Sequence, residues 1–284
     1  GKVESSKSAG NTEPMKLNIT GGTFNGDLKV DASVGTENAK SIISVSGGTF
    51  SDPSVLKYMA TNATVDIKLL SNINIAKTEL ATGYILNAAN ATANLNLNGH
   101  DIINSSETAD ATPFTQIFTV QNGTLNISGN GNVKCDASAT AKDDGYRMVI
   151  EARGHGTVNI HGGSYYNTQK LNTQIDLIYA RENGKINLYG GTFESGKYGT
   201  PNNDTDGRYW VLNLKNTDKN TASIQVSGGT FINFNPANPN MDDNESYLVT
   251  GYEVTRDGSV YTAAHKVNDG RKEYIVGPTS QENR

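Results

Sequence analysis

The stretch KINLYGGTFESG at residues 185–196 decides the fold, because close copies of it occur throughout the chain. In each copy, apolar and polar residues alternate up to two glycines, and a Thr/Ser-Phe/Tyr pair follows. Two partial copies, NLNLNG (94–99) and TLNISG (124–129), keep only the alternating half. The other full copies are KLNITGGTF (16–24), IISVSGGTF (42–50), TVNIHGGSY (157–165) and SIQVSGGTF (223–231). Repeats of this kind predict a fold made of stacked, similar units.

The alternation predicts β-strands with one buried face, because successive side chains of a strand point to opposite sides. Val158 and Ile160 then face the core and Asn159 faces outward. The glycine pair provides a corner that a Cβ atom would obstruct. The aromatic residues that follow the glycines are expected to return to the interior: Phe24, Phe50, Tyr165, Phe193 and Phe231.

A second alternating segment precedes several of the copies. These segments are QIFTVQNG (116–123), VIEARGHG (149–156), LIYARENG (177–184) and VLNLKN (211–216). Repeats of 26 to 38 residues cannot bury their own apolar face and must stack on one another. The sequence therefore predicts an all-β right-handed parallel β-helix, a solenoid of about eight to ten coils with a spacing of about 4.8 Å.

One outward position in these strands carries an amide again and again. Asparagine is unusual in strands, but amides stacked in register can hydrogen-bond to the coils above and below. We expect a structural ladder rather than a ligand site. Its predicted members are Asn18, Asn96, Asn126, Asn159 and Asn187, with Ser44 and Gln225 as variants.

Composition limits the classes of function. The 284 residues carry a net charge of −5 and lack a cluster of Lys and Arg, which argues against a nucleic-acid partner or an anionic membrane surface. The sequence holds no apolar run long enough to span a bilayer. Its single cysteine, Cys135, excludes an intrachain disulfide, so packing and backbone pairing must supply the stability.

The ends of the repeat region differ in character from its middle. SDPSVLKYMA (51–60) predicts a short helix of about two turns, with Asp52 as N-cap and Pro53 in the first turn. YEVTRDGSVYT (252–262) predicts a β-hairpin that covers the last coil, and NDG (268–270) suggests a further turn. The predicted divisions are a polar segment (1–13), first coils or the end of a preceding unit (14–60), the main β-helix (61–234), and a loop with a hairpin cap (235–284).

The repeats resemble the GGTF-type, pectate-lyase-like parallel β-helices of gut-bacterial surface and secreted proteins and of phage fibres. Besides the GGTF coils, the resemblance rests on VDIKLLSNINI (65–75), ANLNLNGHDI (93–102) and the closing GGTFINFNPANP…YLVTGYEVTRDGSVYT. It implies an extracellular or cell-surface location and a polysaccharide or host-surface glycan as partner. Because this class contains lyases, hydrolases, adhesins and fibres, the resemblance leaves the function open.

Two columns of side chains are expected on the outward face of the strand that contains Glu151. One runs through Asn87, Thr119, Glu151, Tyr179 and Asn213, and the other through Ala89, Gln121, Arg153, Arg181 and Lys215. The resemblance implies a sugar chain lying along such a face; the alternative is a solvated surface with weak ion pairs. The predicted ligand-binding residues are Glu151, Arg153, Tyr179, Arg181, Asn213 and Lys215.

Catalytic chemistry has weaker sequence support. RGHG (153–156) contains the Gly-His-Gly of polygalacturonases, and KDDG (142–145) offers carboxylates, so the candidates are Asp143, Asp144, Glu151 and His155. However, the acidic segment NDTDG (203–207) follows these motifs, whereas the corresponding segment precedes them in polygalacturonases. His155 also aligns with Asn122 and Asn183 of neighbouring coils, which indicates a turn residue.

A calcium-dependent lyase is the other enzymatic hypothesis. It would need converging carboxylates and a base, for which Glu151, Asp176 and Arg181 are candidates, and calcium is expected only in this case. His100 and His161 show no metal-ligand spacing, so no metal site or other cofactor is predicted. Three hypotheses remain: a monomeric, non-enzymatic adhesive or glycan-binding module, a glycoside hydrolase or polysaccharide lyase, and a segment of a trimeric phage fibre.

Overall fold

The computed structural model describes residues 16–29, 43–75, 83–104, 114–135, 146–167, 175–195, 209–239 and 246–267. Nearly all of its regular structure is β-strand. In chain order the strands are β1 (Leu17–Ile19), β2 (Thr23–Phe24), β3 (Ile43–Val45), β4 (Thr49–Phe50), β5 (Thr64–Lys68), β6 (Ile73–Ile75), β7 (Tyr84–Asn96), β8 (Ile102–Asn104), β9 (Phe114–Thr115), β10 (Phe118–Ser128), β11 (Asn132–Cys135), β12 (Tyr146–Ile160), β13 (Ser164–Asn167), β14 (Ile175–Ala180), β15 (Lys185–Leu188), β16 (Thr192–Ser195), β17 (Tyr209–Leu214), β18 (Ser223–Val226), β19 (Gly229–Ile232), β20 (Tyr252–Asp257) and β21 (Val260–His265).

The strands of successive coils lie side by side in parallel. One sheet has eleven strands, and its longest path runs β17-β14-β12-β10-β7-β5-β4-β2. A second sheet of eight strands has the order β20-β21-β19-β16-β13-β11-β8-β6, and β1 pairs with β3 separately. Only the pairs that involve β21 are antiparallel among the described strands. The all-β fold and the parallel β-helix predicted from the repeats are therefore confirmed.

The core is a column of apolar side chains taken from equivalent positions of the repeats. Val158, Ile186 and Ile224 lie in register on β12, β15 and β18, and all three are buried. Tyr165, Phe193 and Phe231 form a second column, in which successive ring centroids are 5.1 Å apart. Because each coil is covered by the next, a chain with only 35% hydrophobic residues can still build a continuous apolar interior.

The asparagine ladder exists, with one correction to its membership. Asn126, Asn159 and Asn187 are joined by amide hydrogen bonds of 2.8 Å, each donated by Nδ2 to the Oδ1 of the preceding coil. The next member is Asn94 rather than Asn96, because Asn126 donates to Asn94 at 2.8 Å. NLNLNG lacks the glycine pair. Without that marker, an alternating segment can be aligned with the neighbouring coil in two ways that differ by two residues, one through Asn94 and one through Asn96.

The ladder ends at an acidic side chain. Asn94 donates to Asp66 Oδ1 at 3.0 Å, which makes Asp66 the last acceptor. The predicted members Asn18 and Ser44 pair with each other on β1 and β3, outside this ladder. Gln225 lies in register with Asn187 at the other end, as predicted.

The glycine pairs allow neighbouring coils to approach at the corner. A Cβ atom on Gly190 would lie 2.7 Å from the carbonyl oxygen of His161, and one on Gly228 would lie 2.2 Å from that of Tyr189. The second glycine of the pair, Gly191, has a φ of +102°. Both contacts are with backbone atoms that cannot move aside, so a side chain at these positions is excluded by the stacking itself.

The N-terminal coils join the rest through a change of sheet. Phe24 and Phe50 stack on each other at 5.0 Å, but β4 pairs with β5 and not with the strands that carry the later aromatic residues. The predicted short helix is present as a 3-10 helix, Pro53–Tyr58, whose six residues make about two turns. Asp52 caps it as predicted, accepting a hydrogen bond from the Ser54 N–H.

The C-terminal hairpin is confirmed. Strands β20 and β21 flank Gly258, and β21 pairs antiparallel with β19, covering the free edge of the last GGTF strand. The neighbouring strand β18 is covered by a parallel bridge between Val226 and Leu248. Residues 1–13 and 268–270 lie outside the described residues, and the division at residue 60 stays a prediction.

Candidate functional site

The predicted row of polar residues is present on the large sheet. Thr119, Glu151, Tyr179 and Asn213 are in register on β10, β12, β14 and β17. Asn87 does not belong to this row, and the position beside Thr119 is occupied by Ile85. A register shift between Val120 and Asn122 moves Asn87 next to Asn122, whose Nδ2 donates to Asn87 Oδ1 at 2.6 Å.

A second row, which the sequence analysis missed, lies three residues before the first. Met148, Asp176 and Trp210 are in register, and Gln116 contacts Met148 with 3.8 Å between Nε2 and Sδ. The two rows meet, since Gln116 also donates to the Glu151 carboxylate. In a strictly alternating strand, residues three positions apart point to opposite faces. The two residues between the rows, such as Val149 and Ile150, are both buried, so the alternation is interrupted there.

Glu151 is the centre of this cluster, and it is buried with only 2% of its side chain exposed. Its Oε1 accepts from Arg181 Nε at 2.6 Å, and its Oε2 accepts from Gln116 Nε2 at 3.0 Å. Thr119 Oγ1 lies 3.5 Å from Oε2, and Arg153 Nε lies 3.9 Å from it. Strand alternation predicted an outward position for Glu151, but the side chain is buried. A charge withdrawn from water needs partners of this kind to offset its lost hydration.

Arg181 is held by two carboxylates. Besides Glu151, its Nη1 contacts Glu182 Oε1 at 2.5 Å. Partial burial alone would lower the pKa of Arg181, but the hydrogen bond and the negative charge of Glu151 outweigh it and leave that pKa raised. The guanidinium is thus a permanently charged group with a fixed orientation, and 24% of its side chain is exposed.

Tyr179 follows Glu151 in the row and is half-buried. Burial, and next the negative charge of Asp176, raise the pKa of Tyr179 to about 12, against an opposing effect of Arg181. The phenol therefore stays protonated at neutral pH and can donate a hydrogen bond. Asp176 is itself buried and accepts from Asn213 Nδ2 at 2.9 Å.

The cationic column is partly exposed beside this cluster. Arg153 and Lys215 expose 32% and 43% of their side chains. Lys215 lies 3.5 Å from Asp218, whose carboxylate also accepts the Glu182 N–H. Arg153, Arg181 and Lys215 come from three successive coils. Glu151 and Asn213, also predicted to bind ligand, are buried: Glu151 contacts Arg153 and Arg181, and Asn213 donates to Asp176.

The catalytic candidates do not converge in the described part of the chain. His155 is exposed and in register with Asn122, as predicted, but it lies inside strand β12 at a register irregularity rather than in a turn. Asp143 and Asp144 lie outside the described residues. Within the described ranges, no group of three His, Cys, Asp or Glu side chains is placed to hold a metal ion. His161 stacks on Tyr189 with 4.8 Å between ring centroids.

Comparison with known proteins identifies no relative: the chain matches no family model, no curated protein and no solved structure. The GGTF and pectate-lyase-like resemblance therefore stays a prediction, and the parallel β-helix is the part of it that the structure supports. None of the helices in the described residues is long and apolar enough to cross a membrane.

Proposed function

We propose that this chain is an extracellular or cell-surface β-helix module with an adhesive role, which binds a polysaccharide or host-surface glycan along the Arg153–Arg181–Lys215 column. The observation that carries the proposal is the buried support under that column. Glu151, which accepts from Gln116 and lies 3.5 Å from Thr119 Oγ1, also accepts from Arg181 Nε and so fixes the guanidinium; Tyr179 is in register with Glu151 on the adjacent strand.

Such a surface suits an extended glycan for two physical reasons. A planar guanidinium donates pairs of parallel hydrogen bonds, and an aromatic ring offers an apolar face, the two contacts that a sugar ring can use. Side chains that are already held in place lose little conformational entropy on binding. The coils repeat the column at a spacing of about 4.8 Å, so a linear polymer meets similar groups along its length. This binding requires no cofactor.

The test is a binding measurement on a panel of purified acidic and neutral polysaccharides, with the intact chain. We expect saturable binding without release of products, and a loss of about tenfold in affinity, near 1.4 kcal/mol, for Arg153→Ala and for Tyr179→Leu. Lys68→Ala is the matched control, because Lys68 is exposed on β5 in a distant coil. Equal binding by all three variants would refute the proposal.

A carbohydrate-active enzyme is the second candidate, favoured by one observation. Glu151 and Asp176 are two buried carboxylates on adjacent strands, three positions apart in register, with Tyr179 influenced by both charges. Glycoside hydrolysis uses a pair of carboxyl groups across the scissile bond. Release of reducing ends from a polysaccharide by the wild-type chain, abolished by Glu151→Gln with binding retained, would favour the enzyme over the adhesive module.

A further inference from the structure

The C-terminal end of the solenoid contains an open cavity of about 570 Å³. One wall is the inner face of the hairpin, where Tyr252, Val254 and Arg256 of β20 stand opposite residues of β21. The other wall is formed by Asn235, Ala237, Asn238 and Leu248, from the segments that follow β19. The cavity thus lies where the aromatic column of the core ends, and it is separate from the Glu151 cluster.

The cavity has an apolar floor. Leu248, Val254 and Tyr261 line it while packing against the main core. Tyr261 is in register with Phe231, the last aromatic residue of the column that contains Tyr165 and Phe193. Small-molecule sites commonly combine a volume of roughly 300–1,000 Å³ and an apolar lining with a few fixed polar groups.

The fixed polar group here is Arg256. Its Nε donates to the Gly258 carbonyl at 2.8 Å, and its guanidinium carbon lies 5.2 Å from the centre of the Tyr261 ring. Among the described residues, no carboxylate forms an ion pair with Arg256. The Nε hydrogen bond and the Tyr261 ring hold the guanidinium in place, and its two terminal nitrogens remain available for bidentate contact with a carboxylate.

Further polar groups at the rim favour an anion that also carries hydroxyl groups. Lys266 also lines the cavity, and its backbone N–H donates to the Gly251 carbonyl at 2.8 Å. The two positive charges of Arg256 and Lys266 exceed the single negative charge of Glu253 in this lining. Asn235 and Asn238 supply amides on the opposite wall. A ligand matching this lining has a carboxylate, hydroxyl groups and one apolar ring face.

We infer that this cavity is a second binding site, which takes a carboxylate-bearing sugar ring at the end of the solenoid. The carboxylate contacts the terminal nitrogens of Arg256 with Lys266 nearby, and the ring lies against Leu248 and Val254. This site is independent of the Arg153–Arg181–Lys215 column, since it shares no residue with it.

The experiment is a titration of the intact, isotope-labelled chain with sodium glucuronate, followed by amide chemical shifts, with glucose and acetate as comparison probes. Saturable shifts at Val254, Arg256 and Tyr261 are expected with glucuronate, and affinities at least tenfold weaker for glucose and for acetate. Arg256→Gln and Lys266→Gln should each weaken glucuronate binding, Arg256→Gln by tenfold or more. Lys68→Gln, an exposed charge change far from the cavity, should leave it unchanged.

Three results would overturn the inference. The first is no saturable shift with glucuronate, and the second is equal binding of glucose or acetate, which would show that the ring or the carboxylate is not recognised. The third is retention of glucuronate binding by Arg256→Gln together with its loss in Arg153→Ala, which would place the ligand on the cationic column. Arg256 and Lys266 are exposed, so thermal unfolding of Arg256→Gln and of Lys266→Gln should match wild type.

Discussion

Removal of one amide from the middle of the asparagine ladder should destabilise the solenoid more than removal of its terminal member. Asn159 makes two ladder hydrogen bonds of 2.8 Å, one to Asn126 and one from Asn187. Asp66 makes one, of 3.0 Å, and lies in an exposed position. A hydrogen bond of this kind contributes about 0.5–1.5 kcal/mol net. Asn159→Ala should therefore lower the free energy of unfolding by about 1–3 kcal/mol, and Asp66→Ala by about half as much.

The measurement is urea unfolding followed by the fluorescence of Trp210, the only tryptophan, which is 4% exposed on β17. Asp66→Asn keeps an oxygen that accepts from Asn94, so it should resemble wild type. Asn220→Ala, at an exposed asparagine of a turn, is the control for the loss of an amide as such. Equal losses for Asn159→Ala, Asp66→Ala and Asn220→Ala would refute the idea that stacked amides stabilise the coils.

Three other predictions concern the site and the corners. Arg181→Ala leaves Glu151 buried without its closest cation and should cost about 3 kcal/mol in urea unfolding, whereas Lys185→Ala, at an exposed position, should cost little. Gly228→Ala places a Cβ 2.2 Å from the Tyr189 carbonyl oxygen and should lower the free energy of unfolding by about 1–3 kcal/mol. Gly21 occupies the same position of the motif, but a Cβ there would have nothing within 4 Å, so Gly21→Ala should be tolerated. Equal losses of stability in the two variants would contradict the stacking argument. Because burial and then Asp176 raise the pKa of Tyr179 from 10.0 to about 12, its contribution to stability is complete below pH 10 and lost as the pH rises to about 12. Unfolding followed across this range should show a smaller loss for Tyr179→Phe than for wild type, and identical pH profiles would disprove it.

The register of the coils could be predicted wherever a glycine pair marks the phase of the strand. The stacking of Val158, Ile186 and Ile224 followed directly from aligning the glycines. Where the pair is missing, as after Asn96, the alternating pattern gave the wrong member of the ladder. The pairing of β4 with β5 in the large sheet could not be predicted either, because GGTF has the same local form whichever strand lies beside it.

The row through Glu151 was predictable, but its burial was not. Strand alternation correctly placed Thr119, Glu151, Tyr179 and Asn213 together. Buried Glu151 accepts from Gln116, which belongs to the row three positions earlier, and an alternation of two cannot reveal an interval of three. The C-terminal cavity was likewise out of reach, since it arises from three segments that meet only in the fold.

The amide column also has a direction. From Asn187 to Asp66, every Nδ2 points toward the N-terminal side and every Oδ1 toward the C-terminal side. Because all ladder amides point the same way, a gene duplication or deletion of one whole turn would again place an amide Nδ2 donor next to an Oδ1 acceptor at the new junction. The rod can therefore lengthen or shorten in evolution by complete turns, while an insertion that breaks the phase would be selected against.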